Sequence, residues 1–214
     1  MREIQFVNNE FYHIFNRGVD KRNIFDDYED LTRFLQSMEE FNVVEPIGSI
    51  FENSVRKSKF GHPVSKELGD KLVDYVCYCL NPNHYHFILK QINEKGIEKF
   101  MQRLGNGYTK YFNNRYVRSG SLFQGRYKAI HINSNEYLLH LSVYINLNNR
   151  IHKFSDLEFR SKSSWDEYVN NHHGFCQKDI VTGQFNNVAE YKNFAKESLE
   201  NIQERKEMGK FLLE

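Results

Sequence analysis

Alternating apolar and polar side chains mark the first element. Phe11-Tyr12-His13-Ile14-Phe15-Asn16-Arg17 reads as a strand ended by Gly18. Val19 to Asn23 is a polar loop, and Ile24-Phe25 returns to the core. Asp26 and Asp27 precede apolar residues at Leu31, Phe34, Leu35, Met38 and Phe41, the spacing of one helix face with acidic residues at its start. Ile47 to Phe51 reads as a short strand. From Glu52 to Asp70 the chain turns to Ser, Lys, Gly and His, which predicts a mobile surface insertion. Leu72–Leu80 and His84–Gln91 are the strongest strand patterns, and the Asn81-Pro82-Asn83 corner between them predicts an antiparallel hairpin.

Helical spacing resumes at Gly96, with Ile97, Phe100, Met101, Leu104, Tyr108, Tyr111 and Phe112. Gly105 and Gly107 within it predict a kink or a close approach. After Gly120, Leu122 to Ile132 reads as a strand with cations near its middle. Ser134 caps a densely apolar helix running to about Asn149. A loop to Ser163, a short aromatic segment (Trp165, Tyr168) and a helical tail from Asn187 to Leu213 complete the chain. Strands and helices in this order predict an α+β fold, an antiparallel sheet with packed helices. Residues 1–160 read as one domain carrying the insertion at about 52–70, and 161–214 as a helical extension packed on it.

The 214 residues suffice for one sizeable core, and 40% hydrophobic with 27% charged residues argues against global disorder. Net charge is +1, but its distribution is uneven. Between Lys95 and His131 eight Lys and Arg residues face only Glu98, so this block carries +7 inside an otherwise acidic chain. Such a block is the footprint of a phosphate-binding surface. The three cysteines, Cys77 and Cys79 on one strand face, fit a reduced compartment. No apolar run approaches a membrane span, so the expectation is a soluble, cytoplasmic protein.

His84 and His86 alternate with Tyr85 and Phe87, so both imidazoles fall on one strand face, either a half-site for a divalent metal or polar residues on a solvated face. On the apolar helix His140, Tyr144 and Asn148 fall at i, i+4 and i+8. Two imidazoles and the Asn148 amide oxygen make a three-ligand set suited to Mg²⁺ or Mn²⁺, with Zn²⁺ and Ni²⁺ also compatible. Tyr144 beside that set is either a nucleophile for phosphoryl transfer or a core tyrosine.

The stretch Asn81-Pro82-Asn83-His84-Tyr85-His86-Phe87-Ile88-Leu89 resembles the His-hydrophobic-His (HUH) signature of single-tyrosine transposases, nearest to the REP-associated tyrosine transposases among the IS200-like group. The resemblance starts at Tyr12-His13-Ile14-Phe15-Asn16-Arg17-Gly18. It continues through Tyr108-Thr109-Lys110-Tyr111-Phe112-Asn113, Gly120-Ser121-Leu122-Phe123-Gln124-Gly125-Arg126-Tyr127-Lys128 and Tyr144-Ile145-Asn146-Leu147-Asn148 to Ser163-Ser164-Trp165-Asp166-Glu167-Tyr168. The family commonly has Met at the position of Asn81 and Pro at that of Asn149, and neither departure is expected to touch the chemistry.

The resemblance implies a ferredoxin/RRM-like HUH nuclease core with Tyr144 as nucleophile and His84, His86 and Asn148 as metal ligands. It implies cleavage and rejoining of single-stranded DNA beside hairpins through a 5′-phosphotyrosine, without a nucleotide cofactor, by a monomer or homodimer. Arg126, Lys128, Arg17 and Lys110 are the expected DNA contacts. Tyr127 and Phe123 are stacking or core residues, His140 either orients the site or lies elsewhere, and His13 and His131 read as structural. A hairpin-binding protein that does not cleave and a metal-dependent hydrolase with a structural Tyr144 are the competing readings.

Overall fold

The computed structural model describes residues 4–54, 70–152, 154, 160–170, 172 and 174–207, with side chains described to 202. Five strands form its sheet: β1 (Phe11–Arg17), β2 (Val73–Asn81), β3 (His84–Gln91), β4 (Lys128–His131) and β5 (Lys162–Ser163). Their order is β4-β1-β3-β2-β5, and every neighbouring pair is antiparallel. The helices are α1 (Tyr28–Glu40), α2 (Gly96–Arg115), α3 (Asn135–Asn146), α4 (Asn148–Ile151), α5 (Trp165–Val169), α6 (Asp179–Thr182) and α7 (Val188–Glu207). The fold is therefore α+β.

The two sheet faces are covered differently. On one, Tyr12, Ile14, Tyr85, Phe87 and Leu89 pack against Leu31, Phe34 and Met38 of α1 and Phe100, Leu104 and Tyr108 of α2. On the other, Cys77, Cys79 and Ile88 meet Leu138, Leu141 and Ile145 of α3 and Tyr191 and Ala195 of α7. A register shift between Tyr75 and Cys77 puts Tyr75 in the first core and both Val76 and Cys77 in the second. One extra residue exchanges the faces of everything after it.

Local chemistry sets the helix starts. Asp27 accepts from the Asp30 N–H at α1, and Ser134 from the Tyr137 N–H at α3. The hairpin corner is fixed from outside: Gly18 N donates to Asn83 O at 2.8 Å, and Ile24 N to Pro82 O at 2.6 Å. Helix α2 is continuous through both glycines. At Gly107 a Cβ would come within 2.6 Å of the Phe41 ring, whereas at Gly105 it would meet nothing within 4 Å. The close approach exists at one glycine and the kink at neither.

Three other expectations change. Residues 46–49 form no strand and a helical turn begins at 50; of the 52–70 insertion, 55–69 lie outside the described residues. Of the 122–132 stretch only Lys128–His131 forms a strand, while Phe123 makes a single antiparallel bridge to Gly18, because Gly125 takes φ +67° and turns the chain between them. Helix α3 stops at Asn146, and Leu147 at φ −109°, ψ 9° separates it from the single turn of α4. The cysteines are unpaired, and the tail is helical to Glu207, beyond which it is outside the described residues.

Candidate active site

Pairing of β3 between β1 and β2 places the two histidines at the centre of the sheet, on the α3 side. His84 and His86 are neighbours with ring centroids 5.3 Å apart and planes nearly perpendicular. His84 Nδ1 lies 2.6 Å from Asn83 Oδ1, so Nδ1 carries the proton and Nε2 offers its lone pair. That Nε2 is 2.9 Å from Asn81 Nδ2 and 3.1 Å from Asn148 Oδ1. The same Asn81 amide donates to Asn148 Oδ1 at 2.7 Å. Two acceptors, one nitrogen and one oxygen, thus converge on a single NH₂ group.

The donor set fits a hard or borderline divalent ion. Two cis ligands each about 2.1 Å from one ion lie about 3 Å apart, the spacing of His84 Nε2 and Asn148 Oδ1. Among the described residues no trio of His, Cys, Asp or Glu is arranged to hold a metal, so a site here needs the amide oxygen. Asn148 is fully buried, and its Nδ2 finds no partner among the described residues. A buried amide with an unmet N–H is costly, which makes Asn148 a poor choice for packing alone.

Behind His86 stands His13. The β1–β3 register opposes Phe15 to His86, and His13 lies two residues along the same face. His13 Nε2 is 2.9 Å from His86 Nδ1. Burial lowers the His13 pKa to about 3, so this imidazole is neutral. Burial, then the neighbouring His13, His84 and His152, also hold His86 well below the ordinary value. A neutral His86 tied at Nδ1 has Nε2 left for a ligand.

Tyr144, in the last turn of α3, brings its ring to 5.8 Å from His86, edge to face. His84, His86 and Tyr144 line a cavity of about 290 Å³ together with Phe15, Arg17, Lys21, Lys128 and His152. Arg17 is held by a hydrogen bond from Nε to Gln124 Oε1, and Lys128 Nζ lies 5.7 Å over the Phe15 ring. Three cations around a small cavity with a phenol and two imidazoles suit a phosphodiester.

Of the residues expected from sequence, Tyr144, His84, His86, Asn148, Arg17 and Lys128 come together here. Lys110 and Arg126 line a different cavity with Phe123 and Tyr127. Arg126 also lies outside β4 rather than on a strand beside the site. His140 is exposed, 3.4 Å from Ser198 Oγ and against Phe194 of α7, away from the cavity. His131 pairs with Glu10 at 2.9 Å. Sequence reasoning missed His13, Asn81, Lys21 and His152. Asn81, expected to matter only for packing, contacts both His84 Nε2 and Asn148 Oδ1 directly. The same-face parity of His13 with Phe15 and Arg17 was its available signal; Lys21 and His152 gave none.

Residues 48–148 match the family model described as "Transposase IS200 like". Over that segment, just under half of its length, the chain is similar to the IS200-like transposases. A solved structure described as a REP-associated tyrosine transposase bound to a REP hairpin shares 14% identity with it at TM-score 0.49, over 79% of this chain and 85% of that one. No curated protein matches. Among the described residues no helix is long and apolar enough to cross a membrane.

Proposed function

We propose that this protein is a transposase that cleaves and rejoins single-stranded DNA beside hairpins through a covalent bond to Tyr144. The observation that carries the reading is the shared cavity: the Tyr144 ring edge-on to His86, with His84, Arg17 and Lys128 around the same small space. Arg17, Lys21 and Lys128 draw the DNA backbone in and hold one phosphate against Tyr144. The Tyr144 oxygen attacks that phosphorus and forms a P–O bond. The bond from phosphorus to the 3′-oxygen breaks, the phenol gives up its proton, and the departing 3′-oxygen gains one. The product is a 5′-phosphotyrosine and a free 3′-hydroxyl. Attack by another 3′-hydroxyl reverses the step, so no nucleotide cofactor is consumed.

His84, His86 and Asn148 are the proposed holders of Mg²⁺ or Mn²⁺, which when bound would polarise the phosphate and offset its developing charge. His13 and Asn81 orient those ligands.

A denaturing-gel assay on hairpin-bearing single-stranded DNA from the flanks of the protein's own gene tests this. With Mn²⁺ or Mg²⁺ the full chain should give a protein–DNA adduct, lost with EDTA and in Tyr144→Phe. Binding without an adduct would favour a hairpin-binding protein. Cleavage that survives Tyr144→Phe would favour a hydrolase.

A further inference from the structure

The turn after β1 closes over the hairpin corner that carries His84. Gly18 N donates to Asn83 O at 2.8 Å, and Val19 N to Leu122 O at 2.9 Å. Within the turn Lys21 N donates to Gly18 O and Arg22 N to Val19 O, each at 3.1 Å. Asp20 and Lys21 both take left-handed backbone, at φ 55° and 58°, which L side chains rarely adopt. Gly18 permits the turn, because a Cβ there would collide with the Arg22 carbonyl oxygen. Two successive left-handed residues persist only where their surroundings hold them, and such backbone gathers at functional sites.

What the turn offers the site is an acceptor. The half-buried Asn83 side chain donates from Nδ2 to Lys21 O at 3.3 Å. A carbonyl oxygen only accepts, so this contact settles which end of the Asn83 amide faces which neighbour. The other end, Oδ1, lies 2.6 Å from His84 Nδ1 and is itself an acceptor. His84 must therefore donate from Nδ1.

Asn81 demands the same arrangement from the far side of the ring. Its Nδ2, a donor, stands 2.9 Å from His84 Nε2, on the side where Asn148 Oδ1 lies 3.1 Å away. A reversed Asn83 amide would set its oxygen against Lys21 O and its NH₂ against His84 Nδ1. The imidazole would then carry its proton on Nε2, where a metal ligand needs a lone pair.

We propose that Asn83 is a positioning residue of this site and that the 18–22 turn, through the Lys21 carbonyl, fixes the tautomer of His84. Lys21 then serves twice: its side chain lines the cavity, and its backbone keeps the His84 Nε2 lone pair available. The consequence for metal binding rests on the ligand role given to His84 above; the tautomer itself does not.

The test reads the ring protons directly. Long-range proton–nitrogen correlation spectra of the metal-free full chain separate a protonated Nδ1 from a protonated Nε2. They are recorded at about pH 8.5, where an ordinary imidazole is neutral, and His84→Gln identifies the His84 signal. Wild type should show the Nδ1–H form alone. Asn83→Ala should show both forms and weaken Mn²⁺ binding by about 10–100-fold in titration calorimetry. Asn83→Asp keeps an acceptor for the Nδ1 proton and should restore both readouts. Gly18→Ala, which disrupts the turn, should mix the tautomers in the wild-type background and leave them unmixed in the Asn83→Asp background, because a carboxylate has no donor end to orient.

A wild-type His84 protonated on Nε2 would overturn the proposal. So would Asn83→Ala with the spectrum and Mn²⁺ affinity of wild type, or a folded Gly18→Ala that keeps the Nδ1–H form alone. Should Gly18→Ala not fold, the two Asn83 variants decide. All these readings are made without DNA, so the adduct assay judges the transposase reading separately. An adduct lost in Tyr144→Phe keeps that reading even where the tautomer is not locked, and a locked His84 in a protein that forms no adduct keeps the lock and ends that reading.

Discussion

His13 Nε2 lies 2.9 Å from His86 Nδ1, across two neighbouring strands. A single hydrogen bond here decides which His86 nitrogen is left for other work. Groups that orient a ligating imidazole typically carry 10–100-fold in metal affinity or activity. His13→Phe should therefore weaken Mn²⁺ binding by about 10–100-fold, measured by titration calorimetry, with the fold retained by circular dichroism. His13→Gln, which keeps a donor and an acceptor, should recover part of the loss. Equal affinities in all three proteins would count against the role.

Asn81 is buried and donates to both His84 Nε2 and Asn148 Oδ1 while accepting from Ser161 Oγ at 3.1 Å. Asn81→Ala strands the buried acceptor and donor groups around it, at a cost of about 1–3 kcal/mol. Urea unfolding should show the lower midpoint with an unchanged slope. The cleavage assay should show a loss beyond what the stability change explains.

Arg115 fastens the end of α2 to the start of α1, with Nη1 2.8 Å from the buried Asp30 and Nη2 2.6 Å from Asp27. Tyr111 and Tyr116 donate to the same Asp30 carboxylate. Arg115→Gln removes charge from a partly buried network and should cost about 2–3 kcal/mol at neutral pH. Burial pushes the Asp27 carboxyl up, but the Asp30 N–H and Arg115 outweigh it and hold it below its ordinary 3.8. A lowered folded value means stability that is present above 3.8 and lost as pH falls through the folded value. The Tm gap between wild type and Arg115→Gln should accordingly narrow as pH falls from about 5 toward 3.

The two glycines of α2 predict opposite signs. Gly107→Ala would drive its methyl into the Phe41 ring and should destabilise by about 1–3 kcal/mol. Gly105→Ala meets open space in a helix interior and should stabilise by about 0.5–1 kcal/mol. Thermal unfolding of the two single variants distinguishes them.

What the sequence disclosed followed from local rules. Strand alternation found Phe11–Arg17 and the hairpin, and caps at Asp27 and Ser134 found two helix starts, because each signal lies within a few residues of its effect. Leu122 to Ile132 failed for the complementary reason. Its alternation is real, but Gly125 at φ +67° turns the chain, leaving a single bridge at Phe123 and a strand only over Lys128–His131. His140 shares the unbroken helix α3 with Tyr144, but it sits a turn earlier, against Ser198 and Phe194 of α7, while Leu147 interrupts the helix only before Asn148. His13 and Asn81 were hidden because their partners belong to other strands or helices, 73 and 67 residues away. Register across a sheet is not written in either strand alone.

The family-matched segment ends at residue 148, yet the site does not close there. Ser161 Oγ reaches Asn81, Ser164 Oγ bonds Asn146 at 2.6 Å, and Lys162–Ser163 adds a strand beside β2. At the other end His13 and Arg17 come from before residue 48. A chimera that exchanged residues 48–148 alone between two relatives would therefore take Tyr144, Asn81, His84, His86 and Asn148 from one parent and their partners His13 and Ser161 from the other. The portable module in this protein is the whole five-stranded sheet.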